Sequence, residues 1–270
     1  MTAYLDQIVA ATRRRLSQGR GTANLLQLEE AASKHVPRGF RRVLQAKAKN
    51  DVAVIAELKK ASPSRGLIRD NFDPGTLARE FELAGAAALS VLTDVEFFQG
   101  SLDNLRLAST ATQLPCLRKD FIIDEIQIVE ARAHQADAVL LIVAALSETE
   151  LIALAGHARA MKLDVLCEVH DAEELSRALN AGCDLIGVNS RDLRTFEIDL
   201  NTAFHLAERI PNNVVRVAES GIHTGQDIAR LRAAGYEGFL VGESLMRALS
   251  PGEALCNLLK AAVAEKVPIS

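Results

Sequence analysis

Residues 138–167, AVLLIVAALSETELIALAGHARAMKLDVLC, contain the pattern on which the architecture of this chain depends. The segment begins with an apolar run, Ala138–Val143, that is rich in branched side chains and has no polar face. An amphipathic stretch, Ser147–Met161, follows, and a second short run, Asp164–Cys167, comes after it. Buried strands that alternate with amphipathic helices are typical of a parallel sheet covered by helices. The segment therefore predicts one β-α-β unit.

The same alternation recurs along the chain from about residue 50 onward. Eight apolar runs are spaced about 21 to 35 residues apart, and they are Val52–Ala56, Ala87–Leu92, Pro115–Arg118, Ala138–Val143, Asp164–Cys167, Leu185–Val188, Val214–Ala218 and Gly238–Val241. Eight such units in about 220 residues fit a closed barrel of eight strands and eight helices. An open doubly wound sheet usually has fewer strands and a Gly-x-Gly-x-x-Gly loop, and no such loop follows any of these runs. We therefore predict an α/β fold, a single (βα)8 TIM barrel.

The first 50 residues contain no strand candidate. Tyr4–Leu16 and Leu25–Lys34 have helical periodicity, and Pro37–Gly39 is typical of a turn. We expect residues 1–50 to form an N-terminal helical extension that packs on a barrel spanning residues 51–270, so that the chain is one domain overall.

Composition and charge limit the class of protein. The 270 residues carry 31 basic and 35 acidic side chains, which gives a net charge of -4 at pH 7. The longest apolar run, Ala138–Leu146, is about half as long as a membrane-spanning helix. A net acidic chain is not typical of a general nucleic-acid binder, and the basic cluster Arg13–Arg15 follows the first apolar stretch, which is the wrong order for a secretory signal. We expect a cytoplasmic protein that binds neither membranes nor nucleic acids.

Cysteine and histidine positions give no indication of a metal site. The four cysteines lie far apart among apolar residues, so we expect reduced core side chains at Cys116, Cys167, Cys183 and Cys256. The six histidines show no paired ligand spacing, and we expect ordinary surface or core roles for His35, His134, His157, His170, His205 and His223.

Polar side chains stand at the ends of five predicted strands, where a barrel of this kind holds its catalytic residues. They are Glu57 and Lys59 after the first run, Lys119 after the third, Glu168 after the fifth, Asn189 and Arg191 after the sixth, and Glu219, Ser220 and Gly221 after the seventh. Because side chains alternate along a strand, Glu57 and Lys59 share a face with Ala53 and Ile55. If that face points into the barrel, two lysines and at least two carboxylates meet at one mouth. Surface charge explains any one of these residues, but it is a poor explanation for five strand ends together.

The loops after the seventh and eighth runs have the features of a phosphate site. Ser220-Gly221 follows the seventh run, and Gly242 follows the eighth. Glycine lets the backbone approach an anion closely, and a helix that begins near Ser244 adds a favourable dipole. Plain turns are the alternative interpretation.

The loop after the first run, residues 60–66 with sequence KASPSRG, combines basic, hydroxyl and turn residues. It is either a mobile lid that brings Lys59 and Ser62 to an anion or a plain solvated loop.

Five segments resemble signature segments of a known family, in the same order. They are IAELKKASPSRG at 55–66, VLTDVEFFQGS at 91–101, LRKDFI at 117–122, GVNSRDL at 187–193 and AESGI at 218–222. The family is indole-3-glycerol phosphate synthase, and the resemblance runs from about residue 4 to residue 262. Leu58, Arg65 and Gly39 depart from the family pattern, and none of them stands at a catalytic position.

The resemblance implies an enzyme of tryptophan biosynthesis, a carbon–carbon lyase that needs no cofactor and no metal. Its reaction converts 1-(2-carboxyphenylamino)-1-deoxyribulose 5-phosphate into indole-3-glycerol phosphate, carbon dioxide and water. The resemblance also implies a small phosphorylated substrate as the partner, and we expect the chain to act as a monomer.

Residue roles follow from the resemblance, position by position. It implies that Lys119 is the general acid of ring closure and Glu168 a base, with Lys59 as a second cation. Glu57 and Asn189 then orient hydroxyl groups. The residues implied to bind the substrate and its anionic ends are Ser62, Arg191, Ser220, Gly221, Gly242 and Glu219. Those implied to line an apolar slot for the anthranilate ring are Phe98, Phe121, Leu140 and Leu193.

Other functions remain open at this point. A phosphoribosylanthranilate isomerase or a tryptophan synthase α subunit would share the phosphate loops but would not need lysines after the first and third strands. A Schiff-base aldolase would need a reactive lysine, and its common site on the sixth strand is here Asn189. A catalytically silent barrel that serves as a binding module would tolerate the loss of Lys119 or Glu168, and both are present.

Overall fold

The computed structural model describes residues 4–19, 25–192 and 195–265, and its central feature is a closed barrel of parallel strands. The eight strands are β1 (Ala53–Leu58), β2 (Ala88–Leu92), β3 (Cys116–Lys119), β4 (Ala138–Ile142), β5 (Asp164–Val169), β6 (Leu185–Asn189), β7 (Val215–Glu219) and β8 (Gly238–Val241). Each strand pairs with its sequence neighbours, and β8 pairs with β1, so that Ala53 lies opposite Gly238. The predicted (βα)8 barrel is confirmed.

Helices surround the barrel and precede it. They are α1 (Tyr4–Gly19), α2 (Leu25–Lys34), α3 (Phe40–Ala48), α4 (Pro74–Leu83), α5 (Val95–Phe98), α6 (Leu102–Ala111), α7 (Glu125–Ala133), α8 (Glu148–Ala160), α9 (Ala172–Asn180), α10 (Asn201–Ala207), α11 (Gly225–Ala233), α12 (Glu243–Arg247) and α13 (Pro251–Ala264). A short antiparallel hairpin, Ala61–Ser62 paired with Gly66–Leu67, follows β1. Within the described residues, no helix combines the length and the apolar character needed to cross a membrane.

The ends of helices α8 and α9 have clear local causes. Ser147 begins α8 by accepting a hydrogen bond from the Glu150 backbone N–H, and Glu150 bonds back to Ser147. The Asp171 side chain caps α9 by accepting a hydrogen bond from the Glu174 backbone N–H, and Gly182 lies just beyond the end of α9 with a φ of 73°. A left-handed residue at this point is the usual way to end a helix and turn into the next strand.

Alternation along the strands divides the barrel into an inner and an outer face. On β1, Ala53 and Ile55 pack inside the barrel, whereas Val54 and Ala56 pack outward against the helices. The apolar inward residues of the other strands are almost fully buried, and they include Ala88, Leu117, Leu140, Leu166, Leu185, Val215, Val217 and Leu240. The inner face is therefore a packed core. Because Glu57 continues the inward series of Ala53 and Ile55, it projects into the mouth at the carboxyl end of the barrel.

Helix α3 closes the opposite end of the barrel, at the amino ends of the strands. Phe40 and Leu44 are fully buried and belong to the same cluster as the inward strand residues. The sequence predictions stop at the turn before this helix and do not include it. Its signal is present but weak, because only two strongly apolar side chains, four residues apart, are buried among basic and small residues.

A network that we call the base cluster, consisting of His35, Arg38, Ser109 and Asp137, fixes α3 to the barrel. The Asp137 carboxylate precedes β4 and is fully buried. It accepts hydrogen bonds from Arg38 Nε at 3.0 Å and Arg38 Nη2 at 2.6 Å, and His35 Nε2 lies 3.3 Å away. Arg38 Nη2 also donates to Ser109 Oγ at 2.6 Å. Burial raises the pKa of Asp137, but hydrogen bonds from His35 and Arg38 outweigh it and lower the pKa.

Helix α1 packs at the other end, beside the mouth. The Tyr4 ring lies edge-on to Phe97, with a centroid distance of 5.8 Å, and to Phe196 at 5.1 Å. Farther along the helix, Arg15 Nη1 lies 3.5 Å from the buried Asp94 carboxylate. The helix thus joins the loop after β2 to the loop after β6.

The expectation of four reduced cysteines is wrong for two of them. Cys167 on β5 and Cys183 before β6 form a disulfide with a Cα–Cα distance of 6.5 Å. The pair is possible because β5 and β6 are neighbouring strands and both cysteines belong to the outer packing layer. Cys116 and Cys256 are free, and burial raises the pKa of the Cys116 thiol to about 12.

Candidate active site

A pocket of about 220 Å³ opens at the carboxyl ends of the strands. Its lining includes fourteen of the predicted site residues, namely Glu57, Lys59, Ser62, Phe98, Lys119, Phe121, Leu140, Glu168, Asn189, Arg191, Glu219, Ser220, Gly221 and Gly242. Leu193, also predicted for this site, lies outside the described residues. The barrel therefore brings together side chains that are up to 185 positions apart in sequence, because parallel strands deliver their carboxyl ends to one edge.

Lys119 occupies the centre of a group that we call the mouth cluster, with Glu57, Lys59, Glu168 and Glu219. Its Nζ donates to Glu168 Oε2 and to Glu219 Oε2, both at 2.7 Å. Burial alone would lower the pKa of Lys119, but the charges of Glu168, Glu219 and Glu57 raise it instead. The side chain is therefore an ammonium group, and it is 13% exposed.

The two carboxylates that share Lys119 have different protonation tendencies. Burial raises the pKa of Glu168, but Lys119 and His170 outweigh it, and the pKa of Glu168 is lowered. Burial and the charge of Glu168 raise the pKa of Glu219 above its ordinary value. Glu219 Oε1 is also buried without a hydrogen-bond partner. Lys119 thus stabilises the ionised form of Glu168 well but does not fully offset the cost of ionising Glu219. Such a pair of carboxylates with different pKa values is typical of functional sites.

Lys59 and Glu57 form the second pair of the mouth cluster. Lys59 Nζ donates to Glu57 Oε1 at 2.7 Å, and the Glu57 side chain is only 6% exposed. Gly242, at the end of β8, packs directly against Glu57, and a Cβ at position 242 would overlap the Glu57 carboxylate. Glycine is required here so that the backbone after β8 can pass this side chain.

Asn189 connects Glu168 to the loop after β6. Its Nδ2 donates to Glu168 Oε1 at 3.1 Å, and its Oδ1 accepts from the Arg191 backbone N–H at 3.0 Å. Arg191 in turn donates from Nη1 to the Phe196 carbonyl at 3.3 Å, and its Nη2 lies 3.7 Å from Glu243 Oε2. These contacts fix the amide of Asn189 and aim the Arg191 guanidinium at the rim of the pocket.

The loop after β7 adopts an unusual backbone. Ser220 has a φ of 65° and Gly221 a φ of 76°, so two consecutive residues are in the left-handed region. This conformation costs about 1 kcal/mol or more for a non-glycine residue such as Ser220. A Cβ on Gly221 would also press against Ile198 and Leu200. A strained loop on the rim of a pocket is often functional, because the strain positions backbone groups towards a ligand.

The hairpin after β1 covers one side of the pocket. Ser62 is 8% exposed, and its hydroxyl is buried without a hydrogen-bond partner. Arg65 at the tip forms an ion pair with Glu243 of α12, with Nε and Oε1 3.0 Å apart. An ion pair therefore connects the hairpin to the start of α12, which follows β8.

Apolar side chains form the opposite wall. The rings of Phe98 and Phe121 lie 6.2 Å apart between centroids and are tilted by 37°. Leu140 is 2% exposed beneath them, and Leu92 and Ile142 complete the wall. The pocket thus pairs a charged side with a flat apolar side, an arrangement suited to an aromatic anion.

Several residues of the site were missed at the sequence level. Glu243, Phe196 and Arg65 line the pocket, and their places depend on loop conformation that has no simple sequence signal. His170 was assigned an ordinary role, yet its Nε2 lies 3.5 Å from Glu168 Oε1. The strand alternation gives a signal for it, because His170 stands two positions after Glu168. Across the described residues, no group of three or more His, Cys, Asp or Glu side chains has an arrangement that could hold a metal ion.

Comparison with solved structures gives the fold alone. The chain is similar to a thiamine phosphate pyrophosphorylase from Pyrococcus furiosus, with a TM-score of 0.61, 17% identity, and coverage of 80% of this chain and 97% of that one. It is also similar to a 3-hexulose-6-phosphate synthase, with a TM-score of 0.62, 16% identity, and coverage of 78% and 99%.

Comparison with protein families and curated sequences is more specific. The family model described as indole-3-glycerol phosphate synthase matches residues 5–258. An indole-3-glycerol phosphate synthase from Koribacter versatilis is 58% identical over 96% of this chain and all of its own length. One from Leptothrix cholodnii is 46% identical over 96% of this chain and 99% of its own. The chain belongs to the indole-3-glycerol phosphate synthase family.

Proposed function

We propose that this chain, as a carboxy-lyase of that family, closes the indole ring of 1-(2-carboxyphenylamino)-1-deoxyribulose 5-phosphate with Lys119 as the general acid. Ring closure requires a proton donor at the ketone oxygen while the aromatic carbon attacks the ketone carbon. The observation that carries the proposal is the ammonium of Lys119, 2.7 Å from two buried carboxylates, in the lining of the pocket. These carboxylates keep it charged, so it faces the ketone as a cation.

The two later steps need no external electron acceptor. After closure, the carbon that bears the carboxylate is no longer aromatic, and the adjacent iminium nitrogen takes the electron pair that carbon dioxide leaves behind. Dehydration then removes a hydroxyl group and a proton, which requires an acid and a base. We assign the base to Glu168, whose lowered pKa keeps it ionised, and the second cation to Lys59. Glu57 and Asn189 orient hydroxyl groups.

The remaining residues hold the substrate. We assign its anionic ends to Ser62, Arg191, Ser220, Gly221 and Gly242, with Glu219 at the boundary between this group and Lys119. The unpartnered Ser62 hydroxyl and the left-handed backbone at Ser220 support this assignment. The anthranilate ring lies in the slot between Phe98, Phe121 and Leu140, where burial and contact press it against the ketone carbon. Leu193 is the fourth residue proposed for this slot.

The test is to mix the purified chain with the carboxyphenylamino-deoxyribulose phosphate and to follow indole emission and carbon dioxide release together. The chain has no Trp and two Tyr, so its own emission is weak. We expect one carbon dioxide for each indole formed, and a rate at least about 10²-fold lower when Lys119→Ala replaces the parent chain. A parent chain that leaves this substrate unchanged contradicts the proposal.

We also propose that the chain acts as a monomer in the cytoplasm. The pocket that holds the assigned residues lies at the carboxyl ends of the strands of one barrel, which supports the proposal. Sedimentation equilibrium at assay concentration should give a mass near 29.2 kDa. A dimer mass would contradict the monomer.

A further inference from the structure

His170 lies beside the Glu168 carboxylate at Oε1, whereas Lys119 contacts the other oxygen, Oε2. Its Nε2 is 3.5 Å from Glu168 Oε1 and is buried without a hydrogen-bond partner. The other ring nitrogen, Nδ1, contacts Glu174 Oε2 at 3.0 Å. The imidazole is thus placed between two carboxylates, one from the end of β5 and one from α9.

Glu174 contributes more than a helix cap. Its Oε2 accepts a hydrogen bond from the His170 backbone N–H at 2.7 Å, which is a common way for a residue in the first turn to stabilise a helix start. The same oxygen contacts Nδ1 of the ring, and capping does not require this contact. With Nδ1 facing Glu174, the ring can turn only Nε2 towards Glu168.

The charges around His170 favour its protonated form. The titratable groups that face it are Glu174 from α9, Glu168 from β5 and, farther away, Glu219 from β7, while Lys119 contacts the other oxygen of Glu168. Burial lowers the pKa of His170, but these three carboxylates outweigh burial, and the pKa is raised. Glu168 accordingly lies between Lys119 and an imidazole whose protonated form the surrounding carboxylates favour.

We propose that His170, held by Glu174, is a positioning residue that keeps the Glu168 carboxylate charged and turned towards the pocket. The proposal rests on the proposed role of Glu168 as the base of dehydration. Lys119 must reorganise when it gives up its proton during ring closure, and at that moment its positive charge beside Glu168 is lost. His170 then preserves the charge of Glu168 for the later step, because it takes no part in ring closure.

The experiment measures kcat and KM for the carboxyphenylamino-deoxyribulose phosphate from about pH 5 to about pH 9 in the parent chain, His170→Gln, Glu174→Gln and His35→Gln. His35 is the matched control, since its side chain is 13% exposed and lies 3.3 Å from a buried carboxylate at the far end of the barrel. Thermal unfolding of each variant separates loss of fold from loss of activity.

For His170→Gln we expect the acidic limb of kcat, which reports the enzyme–substrate complex, to move upward by about one pH unit, which lowers kcat on that limb about tenfold. KM should change little, because His170 does not line the pocket. For Glu174→Gln, which retains a side-chain acceptor and should fold normally, the acidic limb should move in the same direction by a smaller amount, because His170 loses its proton at a lower pH in this variant. His35→Gln should shift the unfolding temperature and leave the pH profile unchanged.

Failure of this inference differs from failure of the proposed function. The inference is overturned if both His170→Gln and Glu174→Gln have the pH profile of the parent chain. If His170→Gln does not fold, the pH profile of Glu174→Gln is the test of the inference. Glu168→Gln is measured in parallel. If it retains parental kcat, Glu168 is not the base and the proposed function of that residue fails. If it loses kcat while the His170 and Glu174 variants keep the parental profile, only the inference fails.

Discussion

The two ends of the barrel each hold a buried ion cluster, and the two clusters differ in how completely their atoms are satisfied. In the base cluster, each side-chain nitrogen and oxygen of Arg38, Ser109 and Asp137 has a hydrogen-bond partner. In the mouth cluster, three carboxylates share two ammonium groups, and Glu219 Oε1 has no partner. A buried polar atom without a partner costs about 1 to 3 kcal/mol. The base cluster is therefore complete by itself, whereas the mouth cluster leaves a buried acceptor unsatisfied.

The strongest test of this contrast is Lys119→Ala. We expect kcat to fall at least about 10²-fold, the low end for the loss of a general acid, while the circular dichroism spectrum stays unchanged. Lys34→Ala serves as the control, because Lys34 forms an exposed ion pair with Glu30 within α2 and should leave kcat unchanged. A Lys119→Ala variant that turns over within about threefold of the parent would remove the general-acid assignment.

Arg38→Ala tests the opposite end. It leaves the fully buried Asp137 carboxylate without its cation, so we expect a loss of about 3 kcal/mol in the free energy of unfolding. Urea denaturation measures this loss. The kcat of the folded fraction should not change, because the base cluster lies at the far end of the barrel from the pocket. A large fall in kcat with unchanged stability would show that the two ends are not independent.

Glu168→Gln separates chemistry from binding within the mouth cluster. We expect kcat to fall about 10²-fold, because glutamine cannot accept the proton. KM should stay within a few-fold, since the amide keeps the shape of the side chain and one acceptor. If substrate binding is lost instead, Glu168 positions the substrate and the base is another residue.

The pH dependence of the Arg38→Ala defect follows from the lowered pKa of Asp137. In the parent chain, the stability that this carboxylate contributes is present above its unfolded pKa and is lost as the pH falls through the lower folded pKa. Without Arg38, burial raises the pKa of Asp137. Protonation at low pH then removes the unpaired buried charge, so the variant loses less stability relative to the parent in acid. The stability gap between parent and variant should therefore narrow by about 1 to 2 kcal/mol between about pH 7 and about pH 4. A gap that is constant in urea titrations over this range would contradict the charge argument.

Glu219→Gln should have the smallest effect, and its sign is opposite to that of Arg38→Ala. Because the pKa of Glu219 is raised in the folded state, the stability it contributes is present at low pH and is lost as the pH rises through the folded pKa. The variant avoids this loss, so we expect it to be more stable than the parent by about 1 kcal/mol near pH 8, with little difference near pH 5. Thermal unfolding at both pH values measures this. A destabilised variant at pH 8 would show that Glu219 is as well satisfied as Asp137.

Much of the barrel was predictable because its strands are buried on both faces. Such strands give continuous apolar runs, and the eight predicted runs overlap the eight observed strands. The residues at the mouth were predictable for a related reason. All strands of a parallel barrel end at the same edge, so these residues could be identified without knowing the loop conformations. The segment before the barrel was harder, because α3 is short and its buried face consists of little more than Phe40 and Leu44.

The residues that were missed depend on contacts between distant segments. Arg15 is one of three consecutive arginines in α1, and nothing local distinguishes it, yet it reaches Asp94 because of how α1 packs across the mouth. Glu174 has an obvious local function at the start of α9, which hides its contact with His170. The disulfide between Cys167 and Cys183 likewise depends on the packing of the outer layer.

The position of α3 also has a consequence for the order in which the chain folds. Helix α3 leaves the ribosome before every strand it covers, and its hydrogen bonds reach partners that are synthesised much later, at sequence separations of 99 residues for Arg38 with Asp137 and 143 residues for Arg41 with Asp184. Contacts of this range form slowly, because a long loop must close first. During synthesis, the Phe40 and Leu44 side chains therefore stay unburied until β8 has paired with β1 and closed the barrel. We expect docking of α3 to be a late folding step.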